Sequence, residues 1–490
     1  MATQLLPAGA VPFSTTRIPN PEASLGPLEQ FGFYSLVFYL FLIISRAPEL
    51  IAVRFGSSYS QILISTSMCA VFLIISGSLF RVLGNKLTIA LMALHFWYAL
   101  SVPFSSWRTG SLEAINTVAR IVPLFLFIAA LIRTEKQLLG AFMTMRIAML
   151  VALVYTMTAA VAEAEDRLMS EGSRFSNSNE IAMYLLIGLP FWLHMAISSR
   201  FNVFVRVLAS VEIALSLFQC LRTGSRGGLI TILILGSVVL LLASPINKLK
   251  LLVLGAAISL VAFPLLPPSI RERLLTLSGN AAVSSAGGSS ESRRGLLFES
   301  IRVTFRHPVL GVGLGVYAAA AADISASVGE AKRWQVGHNA YTQVSSECGI
   351  PALLLFLWTL VVAARMTFRT RRMARSFPGG DELSLMAGCI LLSGLVYIIS
   401  GCFANIAQEL FFYMLCGFAL ACEYVTQQRY GYFLAVQAEQ ARNVASVAKP
   451  TLTVPGRPAP IVASGGSVIG RPPARTLESQ YGDVPWAKNP

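Results

Sequence analysis

The chain has 490 residues, of which 55% are hydrophobic and only 13% are charged, and its mean hydropathy of +0.65 exceeds that of soluble domains of this size. This composition excludes a soluble multidomain enzyme. The net charge of +14 would suit a nucleic-acid binder, but the basic residues lie mainly between apolar stretches, where they serve membrane topology. We therefore expect no nucleic-acid partner.

Apolar stretches near the length that crosses a bilayer, about 20 residues per helix, recur along nearly the whole chain. They predict an all-α polytopic membrane protein with about twelve transmembrane helices. The predicted spans are 31–45, 59–80, 87–104, 112–132, 138–161, 181–197, 203–221, 228–243, 249–266, 347–364, 386–402 and 408–425.

The spans divide the chain into five regions. A Pro-rich segment, 1–30, has no apolar core of the kind that a cleavable signal peptide needs, and it precedes helices 1 to 9 in 31–266. A long loop over 267–346 leads to helices 10 to 12 in 347–430. The Ala-, Pro- and Val-rich tail, 431–490, is expected to be mostly disordered.

Basic residues in the short connections predict the orientation of these helices. If the N-terminus is cytoplasmic, the short inner loops carry thirteen Lys and Arg residues and the short outer loops carry seven. This bias predicts that both ends of the chain are cytoplasmic and that the loop over 267–346 is extracytoplasmic.

Arginines on the outer face oppose this topology rule, so each is a candidate anion ligand. Arg222 and Arg226 are four residues apart, which on a helical turn would place both guanidinium groups on one face. Gly227 and Gly228 would let a phosphate approach the backbone. The alternative is that both side chains extend to lipid headgroups.

Two further pairs of residues each have a functional and a structural interpretation. Arg174 and Asn179 lie in a polar stretch before a span, where the asparagine is predicted either to contact sugar hydroxyls or to cap the next helix. Arg120 and Arg146 lie within predicted spans, where a charged side chain is a functional candidate unless it has a structural partner.

The long loop has an internal pattern. A Ser/Gly/Ala linker over 278–290 precedes a predicted amphipathic helix over 291–306, whose apolar row contains Leu297, Ile301 and Phe305. We expect this helix to lie on the membrane surface.

Arg293 and Arg294 lie at the predicted start of that helix. Backbone N–H groups and the helix dipole favour an anion at such a position. Binding of lipid headgroups is an equally good interpretation.

The chain has four histidines. His95 and His194 lie in apolar spans and are interpreted as buried, hydrogen-bonded side chains, and His307 precedes a proline as a helix cap. His338 lies where the loop returns to the bilayer. Because an imidazole titrates near neutral pH, it could take the proton of an attacking hydroxyl group, and a structural role is the alternative.

Metal and cofactor chemistry has no support in the sequence. The seven cysteines lie in or beside apolar spans without a CxxC pair and are interpreted as small buried hydrophobic residues. There is no HExxH motif and no Cys/His cluster, so we expect no metal and no cofactor. Gly311, Gly313 and Gly315 are interpreted as a tight turn and not as a nucleotide-binding loop.

Three segments taken together resemble the O-antigen ligase/polymerase superfamily of bacterial membrane proteins, also called the Wzy-C family. They are Arg222-Thr-Gly-Ser-Arg226-Gly-Gly, the stretch from Arg294 through His307-Pro-Val-Leu-Gly311-Val-Gly313-Leu-Gly315, and His338-Asn-Ala-Tyr341-Thr-Gln-Val-Ser-Ser-Glu347-Cys-Gly349-Ile. The likeness covers roughly residues 170 to 365, and the ordered set is more specific than any one segment.

The resemblance implies a GT-C-like helical bundle with a long loop between helices 9 and 10, acting on undecaprenyl-diphosphate-linked oligosaccharides without a metal ion. It implies that Arg226, Arg222 and Arg294 bind the donor diphosphate and that His338 acts on the acceptor hydroxyl. Phe298 stands where members of the family often have Trp, which keeps Arg293 as an alternative to Arg294. The candidates for the saccharide and acceptor site are Arg174, Asn179, Asn339, Tyr341 and Glu347.

The resemblance also implies a location, the bacterial inner membrane with the site facing the periplasm, and partners, namely membrane lipids, the lipid-linked donor and other polysaccharide-assembly proteins. An acceptor that is a second lipid-linked repeat would define a polymerase for O-antigen or exopolysaccharide, which we slightly favour. Lipid A core as the acceptor would define a ligase. A transporter or flippase of lipid-linked saccharide, or a structural partner of a synthesis complex, is the alternative from a different class.

Overall fold

The computed structural model of the protein describes residues 25–48, 60–158, 161–162, 168–169, 178–242, 245–275, 284–327 and 337–447. Within these ranges the chain is almost entirely α-helical, which confirms the predicted helical class. One short antiparallel pair joins Val161–Ala162 to Leu168–Met169.

The helices are numbered here in chain order. They are α1 (Pro27–Ser45), α2 (Ser60–Ile75), α3 (Ser78–Leu83), α4 (Lys86–Ser101), α5 (Arg108–Leu131), α6 (Glu135–Thr158), α7 (Ser178–Ile197), α8 (Val203–Arg222), α9 (Arg226–Leu242), α10 (Pro245–Ala262), α11 (Pro268–Leu275), α12 (Ser284–Arg306), α13 (Tyr317–Ser327), α14 (Ala340–Ala374), α15 (Asp381–Gly401) and α16 (Leu410–Val447). A 3₁₀ turn, Val102–Phe104, follows α4.

Nine helices in the described part of the chain are long and apolar enough to cross a membrane. Each of the twelve predicted spans overlaps a helix, but those at 59–80, 228–243 and 249–266 fall on α2, α9 and α10, which are not among the nine. α2 and α9 have 16 and 17 residues, fewer than the ~20 that an untilted span needs. A polytopic membrane protein is therefore supported, and the count of twelve stays a prediction.

The helices differ in how deeply they lie in the bundle. The apolar windows of α16 and α7 are 83% and 78% buried, so both helices lie at the centre, whereas that of α8 is only 28% buried. Peripheral helices expose large apolar side chains, such as Phe204 on α8 and Leu241 on α9, each 76% exposed. Such exposure is costly in water and costs little against lipid chains, which agrees with a membrane location.

The long loop contains three helices, α11 to α13. The helix predicted over 291–306 is present, but α12 begins at Ser284, within the stretch predicted as a linker. The face that packs on the protein also differs from the predicted apolar row. Leu296 and Val303 are buried in the contact with α13 and α14, whereas Phe305 is 73% exposed.

α16 continues to Val447, past the predicted start of the tail at residue 431, and residues 1–24 and 448–490 lie outside the described ranges. Six of the seven cysteines are buried as predicted, but Cys402, which follows the last residue of α15, is exposed.

Candidate functional site

The two arginines of the first motif lie on either side of a sharp turn. Arg222 is the last residue of α8 and Arg226 is the first of α9, with Gly224 between them at φ +64°. The prediction that one helical turn carries both guanidinium groups is therefore wrong, since the helix is interrupted at 223–225. Both side chains are half-buried, and they extend from two helix ends that meet at this turn.

Hydrogen bonds hold this turn in one shape. The Thr223 hydroxyl donates to the carbonyl oxygen of Cys220 at 2.6 Å and accepts from the backbone N–H of Ser225 at 3.2 Å. The Ser225 hydroxyl accepts from the N–H of Gly228 at 3.0 Å, which caps α9. Because both ends of the turn are fixed, the positions from which the two arginines extend are fixed as well.

Asn179 lies beneath this turn at the start of α7. Its side-chain oxygen accepts a 2.7 Å hydrogen bond from the Ser225 hydroxyl, and the residue is only 5% exposed. The structure therefore gives Asn179 a contact that joins α7 to the turn, and this contact supports the position of Arg226. Arg174, the other candidate of that segment, lies outside the described residues.

The two glycines after Arg226 serve close helix packing. A methyl group on Gly227 would lie 2.8 Å from the Phe403 side chain, and one on Gly228 would lie 3.0 Å from Ala182. Protein side chains therefore fill the space beside these two glycines. This differs from the prediction that a phosphate could approach the backbone there. The contact with Phe403 brings the connection between α15 and α16 against the arginine turn.

That same connection also contacts the start of α14. The Asn339 side chain caps α14, because its oxygen accepts from the N–H groups of Tyr341 at 2.9 Å and Thr342 at 3.1 Å. Its amide nitrogen donates to the carbonyl oxygen of Cys402 at 3.3 Å. Cys402 and Phe403 therefore bridge the arginine turn and the residue that follows His338.

Tyr341 adds a second contact of this kind, since its hydroxyl donates to the carbonyl oxygen of Ile398 at 2.8 Å. The structure thus places Asn339 and Tyr341 in contacts between helices. His338 precedes the cap and is half-buried.

The glycine-rich turn, Gly311 to Gly315, is hydrogen-bonded to α14 at the point where that helix is interrupted. Gly349 interrupts that helix at φ +84°, and Pro351 has no N–H to donate to the carbonyl oxygen of Glu347. The N–H of Gly313 fills this gap at 2.8 Å, and the N–H of Val312 bonds the carbonyl oxygen of Ser346 at 2.9 Å. The turn replaces two hydrogen bonds that the broken helix cannot make.

Only glycine fits at this junction. A methyl group on Gly349 would lie 2.0 Å from the carbonyl oxygen of Val309, and one on Gly311 would lie 2.3 Å from the backbone of Glu347. Both residues also have positive φ angles, at which a side chain is strained. The expectation of a tight turn is confirmed, and its partner is the first part of α14.

A cavity of about 220 Å³ lies at this junction. Its walls come from the glycine turn, α13, the start of α14 and the connection between α15 and α16. The lining residues are Gly315, Tyr317, Ala318, Gly337, Gln343, Glu347, Asn405, Gln408 and Glu409. Gly337 is the neighbour of His338, so the cavity begins beside the histidine.

Glu347 lies at the inner wall of this cavity and is 3% exposed. Its carboxylate accepts a 2.9 Å hydrogen bond from the side-chain nitrogen of Gln408 and also interacts with the backbone N–H groups of Gly315 and Tyr317. Of the predicted saccharide residues that the structure describes, Glu347 is the one that lines the cavity.

Sequence reasoning missed Gln343, Asn405 and Gln408. Gln343 lies inside the motif after His338, and the other two lie in a short connection between two apolar helices. Polar side chains in such apolar surroundings are themselves a signal, because burying them without a partner costs free energy.

The loop arginines approach this region on α12. Arg293 is half-buried and Arg294 is exposed, with its guanidinium 5.7 Å from the centre of the Phe298 ring. Because α12 begins nine residues before Arg293, neither arginine lies at the helix N-terminus, and the predicted dipole contribution does not apply.

α12 is nevertheless fixed beside the cavity. The Thr304 and Ser345 hydroxyls are 2.9 Å apart, and the Tyr317 hydroxyl donates to the carbonyl oxygen of Leu296 at 3.3 Å. Burial, together with the negative charge of Glu299, raises the pKa of Tyr317 above its usual value, so this phenol stays protonated and serves as a donor.

The other end of the bundle holds a separate charged network. Arg200 pairs with Glu135, Arg429 lies 3.5 Å from Glu135, and His194 binds Glu382 at 2.8 Å. α6 runs from Glu135 at that end to Thr158 near the arginine turn, where the carbonyl oxygen of Thr156 accepts from Gln219 at 2.8 Å. The 24 residues of α6 place the two ends of this helix about 36 Å apart.

Two earlier interpretations concern buried basic residues. His95 is hydrogen-bonded to Leu91 and Tyr413, and His194 is fully buried, as expected of structural histidines. Arg146 is 1% exposed, donates to the carbonyl oxygen of Phe191 at 2.9 Å and contacts His194, which favours its structural alternative. In the described part of the chain, no group of three or more His, Cys, Asp or Glu side chains converges as metal ligands would.

A family model described as O-antigen ligase matches residues 211–357. The match confirms the resemblance to the O-antigen ligase/polymerase superfamily, and its range contains every predicted site residue except Arg174 and Asn179. No curated protein matches the chain.

Proposed function

We propose that this member of the O-antigen ligase/polymerase superfamily transfers oligosaccharide from an undecaprenyl-diphosphate carrier to an acceptor hydroxyl. The observation that carries the proposal is the bridge formed by Cys402 and Phe403, which brings the arginine turn and the start of α14 to one end of the bundle. Guanidinium groups suited to a diphosphate and an imidazole suited to a proton thus belong to one region.

The arginines are proposed to bind the donor. Arg222 and Arg226 extend from a hydrogen-bonded turn, and Arg293 and Arg294 lie on α12, which packs against α13 and α14. Planar guanidinium groups bind phosphate oxygens with two parallel hydrogen bonds. They also stabilise the negative charge that develops on the diphosphate as it leaves, which is the task of a divalent cation in many other glycosyl transfers.

His338 is proposed to act on the acceptor. The hydroxyl oxygen of the acceptor attacks the anomeric carbon while the bond from that carbon to the diphosphate oxygen breaks, and the electron pair leaves with the diphosphate. The neutral imidazole takes the hydroxyl proton and returns it to solvent after the product leaves. Attack opposite the leaving group inverts the anomeric configuration.

The proposed orientation places this site on the periplasmic face. Several basic residues of the predicted inner loops, including Arg133 and Arg200, lie at the end of the bundle opposite the arginine turn. An excess of Lys and Arg favours the cytoplasmic side, so the site end is proposed to face outward. The exposed apolar flanks of the bundle suit a donor whose polyprenyl chain stays in the lipid.

A transporter of lipid-linked saccharide is less well supported. Such a protein would need polar groups along a path through the bilayer. The second group of buried charges, Arg146, His194 and Glu382, is at most 8% exposed, and its members bind one another. This arrangement suits a structural contact between helices better than a path for a substrate.

An in vitro transfer assay tests the proposal. Purified protein is given a lipid-diphosphate oligosaccharide in EDTA, with either a second donor molecule or lipid A core as the acceptor. A ladder of products identifies a polymerase, and a single shifted lipid A band identifies a ligase. Arg226→Ala and His338→Ala should each abolish the product.

Two matched controls separate the site from general damage. Arg372→Ala removes an exposed arginine at the opposite end, and His307→Ala removes an exposed histidine of the loop. Both should transfer normally. Normal transfer by His338→Ala would refute the role proposed for the histidine. No transfer by the wild type with either acceptor would refute the proposed function and favour transport.

A further inference from the structure

We propose that the cavity lined by Gln343, Glu347, Asn405 and Gln408 is a saccharide subsite that binds a sugar ring of the acceptor through its hydroxyl groups. The inference rests on the proposed function and adds to it a specific binding site, to which the connection between α15 and α16 contributes two side chains.

The cavity is large enough for a sugar. Its volume of about 220 Å³ is far above the ~15 Å³ that one water molecule requires on the same measure. Its walls belong to four segments of the chain that hydrogen bonds fix to one another, so the shape is formed before any ligand enters.

Unpaired acceptor atoms point to a ligand that donates hydrogen bonds. Gln343 is only 6% exposed, and its side-chain oxygen has no hydrogen-bond partner; the buried side-chain oxygen of Asn405 also has none. Leaving such a group buried and unpaired costs roughly 1–3 kcal/mol. A ligand with hydroxyl groups removes this cost, because each hydroxyl donates one hydrogen bond and can accept others.

Charge decides between a saccharide and other polar ligands. Glu347 and Glu409 both line the cavity and no Lys or Arg is among its described lining residues, so a phosphate group would find no counter-charge there. The Glu347 carboxylate already accepts hydrogen bonds from Gln408 and interacts with backbone N–H groups, which compete with a cation for its lone pairs. A neutral polyol needs no counter-charge, and it does not depend on the lone pairs of this carboxylate.

The position of the cavity assigns it to the acceptor. Gly337 forms part of the wall and is bonded to His338, the residue proposed to take the proton of the acceptor hydroxyl. The arginine turn contacts the same connection through Gly227 and Phe403. A sugar held in the cavity would thus lie next to the histidine that is proposed to act on the acceptor.

The test uses saturation-transfer NMR on the full-length protein in detergent. The probe is the mixture of oligosaccharide fragments released by mild acid from the surface polysaccharide of the source bacterium, measured with and without EDTA. Wild type should show saturation transfer to ring protons of a fragment, unchanged by EDTA. Gln343→Leu, which keeps the side-chain bulk but removes the amide, should weaken binding at least about tenfold.

Ser346→Ala is the matched control. Ser346 is fully buried on the same turn of α14, and its hydroxyl bonds the carbonyl oxygen of Gln343 and does not line the cavity. This variant should bind the fragments like wild type. If Gln343→Leu fails to fold, Asn405→Ala in the connection provides the second variant, with the same expected weakening.

Three outcomes would overturn the subsite. They are equal binding by wild type and Gln343→Leu, loss of binding in EDTA, and no saturation transfer in a preparation that still performs His338-dependent transfer. Binding that Gln343→Leu abolishes, in a protein that transfers nothing, would leave the subsite in place and refute the proposed function instead.

Discussion

At the scale of single residues, Arg226 carries the most direct prediction. Arg226→Lys keeps the positive charge but removes the planar fork that binds two phosphate oxygens at once. We expect kcat/KM for the lipid-diphosphate donor to fall by roughly 100- to 1000-fold, the range expected when one donor to a developing negative charge is removed.

The control for this variant is Arg372→Lys, whose kcat/KM should not change. Equal donor kinetics for Arg226→Lys and wild type would show that position 226 requires charge alone or does not contact the diphosphate.

Ser225 gives a second prediction, since it acts through the residue beside it. Its hydroxyl caps α9 and donates to Asn179, so Ser225→Ala should lower the free energy of unfolding by about 1 kcal/mol. Because the arginine turn loosens, KM for the donor should rise while the acceptor KM stays constant.

Ser237→Ala serves as the comparison, because Ser237 is an exposed residue of the same helix whose hydroxyl only bonds the preceding turn. An unchanged donor KM in Ser225→Ala would mean that the cap contributes to folding and not to the position of Arg226.

The residue types of the site could be predicted from the sequence, but their contacts could not. Arginines on a predicted outer face oppose the charge bias of membrane proteins, so Arg222 and Arg226 could be singled out without a structure. The pairing of Asn339 with Cys402, and of Gly227 with Phe403, joins residues more than sixty positions apart. No local pattern encodes such contacts.

At the scale of elements, the junction between the glycine turn and the break in α14 is the feature that shapes the site. Gly349→Ala would place a methyl group 2.0 Å from the carbonyl oxygen of Val309 at a positive φ angle. We expect a fall of several °C in the melting temperature and loss of most transfer activity, because the cavity wall and the start of α14 shift together.

Gly236→Ala is the matched substitution, since a methyl group there meets nothing within 4 Å on α9. It should leave the melting temperature unchanged or raise it slightly, as replacement of a helical glycine does. A fully active Gly349→Ala would contradict the role given to this junction.

The charged network at the opposite end is expected to stabilise the bundle without taking part in transfer. Glu382 is 8% exposed, accepts from Ser198 at 2.9 Å and pairs with His194 on α7. Glu382→Ala leaves the buried side chains of His194 and Ser198 without their hydrogen-bond acceptor, which typically costs about 1–3 kcal/mol.

Thermal unfolding in detergent should therefore show a lower midpoint for Glu382→Ala, with KM values unchanged in the folded fraction. Asp381→Ala, at an exposed neighbouring position, should have little effect. A selective change in donor or acceptor KM in Glu382→Ala would show that the two ends are coupled.

The helices could be predicted from the sequence because the length of an apolar stretch is a strong signal. The residues at which each helix begins and ends, and the face that it buries, could not be predicted. α12 begins seven residues before the predicted start and buries a different row, since its face is chosen by contact with α13 and α14. Likewise, the four-residue spacing of Arg222 and Arg226 suggested one continuous turn of helix, but Gly224 ends it.

At the scale of the whole molecule, the orientation can be tested with a native residue. Cys402 is the exposed cysteine, and it lies at the site end, next to Phe403. A membrane-impermeant maleimide added to spheroplasts should label it from outside, whereas Cys402→Ser should not be labelled. Labelling only after the inner membrane is broken would reverse the proposed topology.

The pH dependence of that labelling follows from burial. Although Cys402 is exposed, part of its thiol is desolvated, which raises its pKa above the usual value, so less thiolate is present at neutral pH than for a free cysteine. At pH 7 the labelling rate should therefore be slower than that of a fully exposed thiol, and it should level off at a higher pH.

The central claim is that the arginine turn and His338 form one site for transfer from a lipid diphosphate. The most direct measurement is the amount of undecaprenyl diphosphate released per protein in a single turnover in EDTA with the acceptor present. We predict near-stoichiometric release by wild type, Arg372→Ala and His307→Ala, and almost none by Arg226→Ala or His338→Ala. Release by either of the last two at the wild-type rate would contradict the account.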